Sequence, residues 1–122
     1  MVVDEAEHDS ELEAEQTDLL FHALADATRR DIVRLALNGE HSVSDLARRY
    51  PMSFAAVQKH VAVLERAHLV TKHQRGRERI VRGQISAVRD VNRLLDDLEA
   101  TWRTRIQRFG EVLAEPDEGE QA

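Results

Sequence analysis

Gln58 and Lys59 lie side by side in a stretch, Ser53 to Ala67, that is otherwise rich in small and apolar residues. A side-chain amide can make two hydrogen bonds to an adenine edge, and an ammonium can reach guanine or a phosphate. Further along, Arg75, Arg77 and Arg79 alternate around Gly76. Alternate residues of a strand share a face, so the three guanidinium groups are expected on one side of a hairpin. There they suit phosphate or a minor groove. Arg75 and Arg77 are favoured for that contact, and Arg79 is the one that could pair with an acid instead. The competing readings are a solvated helix face and a charged edge strand that resists aggregation.

These residues need elements to carry them. Residues 42–50 read as a short helix capped by Ser42, and Pro51-Met52 breaks it. Ser53 caps a second helix, in which Val57, Val61 and Leu64 recur at i, i+4 and i+7 and should be core. The opposite face is then Ser53, Phe54, Ala55, Ala56, Gln58 and Lys59, with His60 beside it. Small residues at its start allow close approach to a groove floor, Phe54 or Ala55 can meet a thymine methyl, and the helix N-terminus can hold a phosphate. Thr71 to Ile80 reads as a hairpin with Gly76 at its tip. Helix, turn, helix and basic hairpin, in that order, predict a mainly α fold: a winged helix-turn-helix with a two-stranded wing, suited to double-stranded DNA.

Upstream, Asp26 should cap a helix ending at Asn38-Gly39, with Gly39 in a left-handed C′ position. Residues 40–43 suit one short strand, and residues 11–24 suit a helix. A last helix should run from about Ser86 to Ala114. Its stripe of Val88, Val91, Leu95, Leu98, Trp102, Ile106, Phe109 and Val112 is too long for one small domain to cover all of it, so a second chain is expected to do so. The division read from this pattern is an acidic, disordered arm (1–16), a DNA-binding and dimerisation domain (17–114) and an acidic tail (115–122).

The net charge of −6 hides a segregation. Residues 21–110 hold all seventeen Lys and Arg against ten acids, so the body is cationic and the ends anionic. There is no Cys, no apolar run of bilayer length and no signal peptide, which points to the cytoplasm. No nucleophile–base pair, metal cluster or phosphate-cradling Gly loop is visible, which argues against an enzyme. Arg29, Arg30, Arg48 and Arg49 read as surface or ion-pair residues first, with contact to a nucleic-acid backbone as the alternative. The six His (8, 22, 41, 60, 68 and 73) form no convincing ligand set, and no cofactor is expected.

Residues 21–37, from Phe21 through Ala25-Asp26-Ala27-Thr28-Arg29-Arg30 to Leu37, resemble the opening signature of the ArsR/SmtB family of bacterial winged-helix repressors. Ser44-Asp45-Leu46-Ala47, residues 56–70 and Gly76-Arg77-Glu78-Arg79 continue the match, which covers about residues 17–106. The resemblance implies a homodimer that binds a palindromic operator and represses transcription. It also implies a dimer interface on the first and last helices: Leu19, Leu20, Leu95, Leu98, Trp102, Ile106 and Phe109. Leu98 to Ile106 is similar to the tail of a metal-independent branch. Where the family's arsenic and cadmium sensors carry two cysteines, this chain has Ser42 and Ser44. Its Asp90-Val91-Asn92 lacks the His of the zinc and nickel sensors, and no metal is expected. An unidentified small-molecule or protein inducer remains open. The alternative function is a protein-interaction and dimerisation module with weak or no DNA binding. His68 stands where the family usually has Gly, so a left-handed turn is expected to fall to a side chain.

Overall fold

The computed structural model describes residues 5–114. The elements are α1 (Glu5–Leu24), α2 (Ala27–Asn38), β1 (His41–Ser42), α3 (Val43–Arg48), α4 (Phe54–Arg66), β2 (Val70–Arg75), β3 (Glu78–Gly83) and α5 (Ile85–Ala114). The fold is mainly helical with a small antiparallel sheet, the winged helix-turn-helix that the order of parts predicts.

Local chemistry sets most boundaries. Asp26 takes the first-turn N–H of Arg29 at 3.0 Å, Ser42 takes that of Asp45 at 3.0 Å and Ser53 takes that of Ala56 at 3.1 Å. Each such cap is worth about 1 kcal/mol. The end of α4 is a Schellman motif. His68 N–H donates to Glu65 O and Leu69 N–H to Leu64 O, both at 3.0 Å, with His68 at φ 59°. A histidine thus holds the left-handed position that glycine adopts without strain. Leu64 and Leu69, on either side of the reversal, are both fully buried.

Two expectations change here. Gly39 has φ 178°, which is extended backbone, so α2 does not end in a left-handed residue. Gly39 N–H instead closes the helix by donating to Leu35 O at 3.1 Å. The helix α1 starts at Glu5, not near residue 11, so residues 5–16 of the expected disordered arm are helical. Glu7 and Asp9, near its start, complement the positive end of the helix dipole, and Glu and Ala are good helix formers. That segment forms on local preference, where composition alone had pointed to disorder. The Gln16 side chain then ties α1 to the end of α4 by donating to Ala67 O at 3.0 Å. The expected tail, 115–122, and residues 1–4 lie outside the described residues.

The sheet order is β1-β3-β2, so β3 is central. His41 faces Val81 and Ser42 faces Ile80, while Val70 to Arg75 pairs with Gly83 to Glu78. Arg75 opposite Glu78 leaves a two-residue loop, Gly76-Arg77. Gly76 has φ 61°, a positive value at the first loop position, as a type II′ hairpin requires.

The chain forms two units, one up to Val91 and one from Asn92. The first holds the core: Leu20 and Ala23 of α1, Ile32 and Val33 of α2, Leu46 of α3, Val57, Val61 and Leu64 of α4, and Val70 and Val81 of the sheet. Burying each large aliphatic side chain contributes roughly 1.5–3 kcal/mol. Leu20 is 3% exposed, so this chain's own core already occupies it, while Leu19 beside it is 39% exposed. A partner helix could therefore be met by Leu19 but not by Leu20.

β3 passes very close to the end of α2. A Cβ at Gly83 would lie 2.7 Å from Leu37 Cδ2 and 2.8 Å from the Leu37 backbone nitrogen. Gly83→Ala is therefore expected to lower the free energy of unfolding by about 1–3 kcal/mol, read from urea denaturation. A loss too small to resolve would mean that α2 and β3 can part without cost.

In the second unit α5 carries an uncovered stripe. Leu95, Leu98, Trp102, Ile106, Phe109 and Leu113 are exposed at spacings of three and four residues. Arg105 lies with its guanidinium carbon 5.8 Å from the centre of the Trp102 ring. Contiguous apolar surface of this kind marks an interaction face.

Candidate nucleic-acid interface

The second helix of the pair, α4, is pinned from behind and bare in front. Val57, Val61 and Leu64 are buried, while Ser53, Phe54, Ala55, Gln58 and Lys59 are exposed. Ala56 and His60 are half-buried on the shoulder of the helix. Of the face expected from sequence, Ser53, Phe54, Ala55, Gln58 and Lys59 are thus open, with Ser53 Oγ committed to the cap. The preceding helix, α3, is held by Tyr50, whose hydroxyl donates to Asp31 Oδ2 of α2 at 2.6 Å. Burial first, and then the Asp31 carboxylate, push the Tyr50 phenol well above its ordinary range, so it stays a donor. The Asp45 carboxyl is held below the usual range, first by the Ser42 hydroxyl and then by Arg48, which donates to Asp45 Oδ1.

The wing differs from its expected layout. The two-residue loop puts Arg77 in the turn, so Arg75, Arg77 and Arg79 do not form one strand face. By the register, Arg75 shares a face with Thr71, His73, Ile80 and Arg82. Arg79 lies on the other face, with Lys72, Gln74 and Val81. Arg75 is the arginine that pairs with an acid. Its Nη2 lies 2.7 Å from Glu40 Oε2, and Arg82 Nε lies 2.9 Å from Glu40 Oε1. The Arg75 hydrogen bond, helped by both charges, holds the Glu40 carboxyl below the usual range. Arg79 and Arg77 instead border a cleft of about 260 Å³ between wing and α4, with Phe54, Gln58 and Lys72 among its walls. Lys72 is partly engaged by Glu65, 3.5 Å away. The cleft thus places an amide, a phenyl ring and two guanidinium groups around one groove.

The far shoulder of α4 has a different neighbour. Arg29 Nε donates to Ala23 O at 2.8 Å and its Nη2 to His22 O at 2.9 Å, at the end of α1. Its Nη1 lies 3.2 Å from His60 Nδ1. Arg30 Nη1 adds a bond to Leu24 O at 2.8 Å. These two arginines, read from sequence as surface or ion-pair residues, staple α1 to α2. Asp26, beside them, has its carboxyl held below the usual range, first by the Arg29 backbone N–H. Sequence reasoning missed Glu40, Arg29 and Lys72. A count outward from Gly76 with a two-residue loop would have exposed the Arg75 problem. Nothing in the sequence pairs residue 29 with residue 60.

Among the described residues no three His, Asp or Glu side chains come together as a metal site. No described helix is long and apolar enough to cross a membrane.

The profile of the bacterial regulatory proteins of the arsR family matches residues 26–72, from the Asp26 cap into β2. The HTH-type transcriptional regulator Rv2034 of Mycobacterium tuberculosis is 32% identical over 96 residues, which are 79% of this chain and 87% of that protein. The transcriptional repressor SdpR of Bacillus subtilis is 30% identical over 57 residues, 47% of this chain and 63% of that one. Among solved structures, an ArsR-like transcriptional regulator from Rhodococcus sp. RHA1 superposes with a TM-score of 0.72 at 30% identity, covering 85% of this chain and 97% of its own. Cap, core, wing and these likenesses agree: the chain belongs to the ArsR family of bacterial transcriptional regulators, with its helix-turn-helix DNA-binding fold.

Proposed function

We propose that the protein is a homodimeric repressor that reads an inverted-repeat operator with α4 and grips the flanking backbone with the wing. The observation that carries the reading is the bare α4 face of Ser53, Phe54, Ala55, Gln58 and Lys59, beside a cleft bordered by Arg77 and Arg79. Gln58 and Lys59 read base edges, Phe54, Ala55 and Ala56 give apolar contact, and Ser53 starts the helix at a phosphate. His60 donates from the shoulder. Arg77 and Arg79 take phosphate, and Arg75 joins them only when Glu40 lets go. Dimerisation through the α5 stripe and Leu19 supplies the second reading helix. Repression is the role named for the similar SdpR, and steric occlusion of a promoter by a bound dimer needs no further chemistry. The site is read without metal or cofactor, and no catalytic role is assigned. The domain reading kept is one DNA-binding and dimerisation body between acidic ends.

The test is footprinting on the DNA upstream of the protein's own coding region, across a salt series. A protected inverted repeat, with affinity falling steeply as salt rises, is expected. A protein that dimerises yet protects nothing would instead be an interaction module.

Glu40 offers a second check. Glu40→Gln removes the charge that holds Arg75 and Arg82. Affinity for arbitrary duplex is expected to rise several-fold, and the slope of log affinity against log salt to steepen by about 1. An unchanged slope would mean that Arg75 does not reach DNA even when released.

A further inference from the structure

The Arg29–His60 contact fixes more than packing. Arg29 is a pure donor: guanidinium offers five N–H groups and no lone pair. Two of the five are spent on the carbonyls of His22 and Ala23, and a third faces His60 Nδ1 at 3.2 Å. His60 Nδ1 must therefore present its lone pair, which leaves the imidazole proton on Nε2. Among the described residues no protein group bonds that Nε2, and the ring is half-buried rather than enclosed. On α4, residues 58 and 60 point about 200° apart at 3.6 residues per turn. The wing lies against Gln58, so His60 projects from the opposite shoulder.

We propose that Arg29 is a positioning residue for DNA recognition. It locks His60 in the Nε2–H tautomer, so that the shoulder of α4 away from the wing offers one oriented donor to a backbone phosphate. The inference rests on the DNA-binding reading above. The same guanidinium ties the end of α1 to His60. An α1 that shifted would pull Arg29 from the ring and free the donor to rotate.

The experiment combines long-range ¹H–¹⁵N NMR of the histidine rings with affinities of Arg29→Met, His60→Ala and the double variant for operator duplex. Wild-type His60 is expected in the Nε2–H form, and in Arg29→Met it should relax to a mixture of tautomers. Each single variant should lose about tenfold in operator affinity, the value of one phosphate hydrogen bond, and the double variant no more than either. Arg29→Lys, which keeps one donor and the charge, separates loss of the lock from loss of charge. It should recover neither tautomer nor affinity fully. A proton on Nδ1 in the wild type, or losses that add in the double variant, would overturn the proposal while leaving DNA binding intact. If the tautomer is as expected but the wild type binds no duplex, both the proposal and the reading beneath it fail. Should Arg29→Met unfold the protein, the wild-type tautomer and the His60→Ala affinity still decide.

Discussion

Trp102→Ala is expected to raise the dimer dissociation constant on the order of 100-fold while leaving the isolated chain's fold nearly intact. The indole is 56% exposed, so in a lone subunit its removal strips a surface ring and costs within about 0.5 kcal/mol. Across an interface the same ring becomes a buried anchor. Truncating a buried aromatic costs about 3 kcal/mol or more, and Trp is the residue type most often found to dominate an interface. Its neighbours on the stripe, Leu98, Ile106 and Phe109, are open in the same way, so in the proposed dimer the mutation would open a hole in the middle of the seam. Sedimentation equilibrium measures the constant directly. Unchanged self-association would mean that α5 is covered by something other than a second copy, or by nothing.

Gln58→Ala with Lys59→Ala should erase the preference for operator over arbitrary duplex. Each good base-edge pair carries about 1–3 kcal/mol of discrimination, so the loss is roughly 10²- to 10⁴-fold in operator affinity. Binding to arbitrary duplex should persist at a reduced level, because the phosphate contacts proposed for Arg77 and Arg79 are untouched. Both side chains are exposed and neither supports the core, so the melting temperature should barely move. Competition anisotropy with specific and scrambled duplexes checks this. A double variant that still discriminates would move the reading function off this face.

The parts legible in the sequence are those set by local chemistry. Val57, Val61 and Leu64 announced the buried side of α4 by spacing alone, and the bare opposite face follows from it. Asp26, Ser42 and Ser53 announced three helix starts because a short acceptor side chain serves only the turn that follows it. Gly76 announced the hairpin tip, while the left-handed reversal at His68 followed only from the family resemblance, which has glycine there. Less legible was anything decided by register or by distant packing. One loop residue more or fewer reverses every side chain of a strand, which is how Arg75 and Arg79 exchanged expected roles. Leu19 and Leu20 are neighbours in sequence, but about 100° of helix rotation puts one in the core and the other outside it. Gly39 showed that glycine after a helix permits a left-handed turn without requiring one. The α1 start was misjudged because charge-rich composition argues against burial, not against a solvated helix.

The claim beneath all of this is that two symmetry-related copies of α4 enter successive major grooves of one duplex. Selection from a random duplex library at physiological salt, followed by sequencing, tests it most directly. The account predicts enrichment of an inverted repeat whose half-sites are centred about 10–10.5 base pairs apart, one helical turn. Enrichment of a single asymmetric site, or no enrichment above the starting pool, would contradict it.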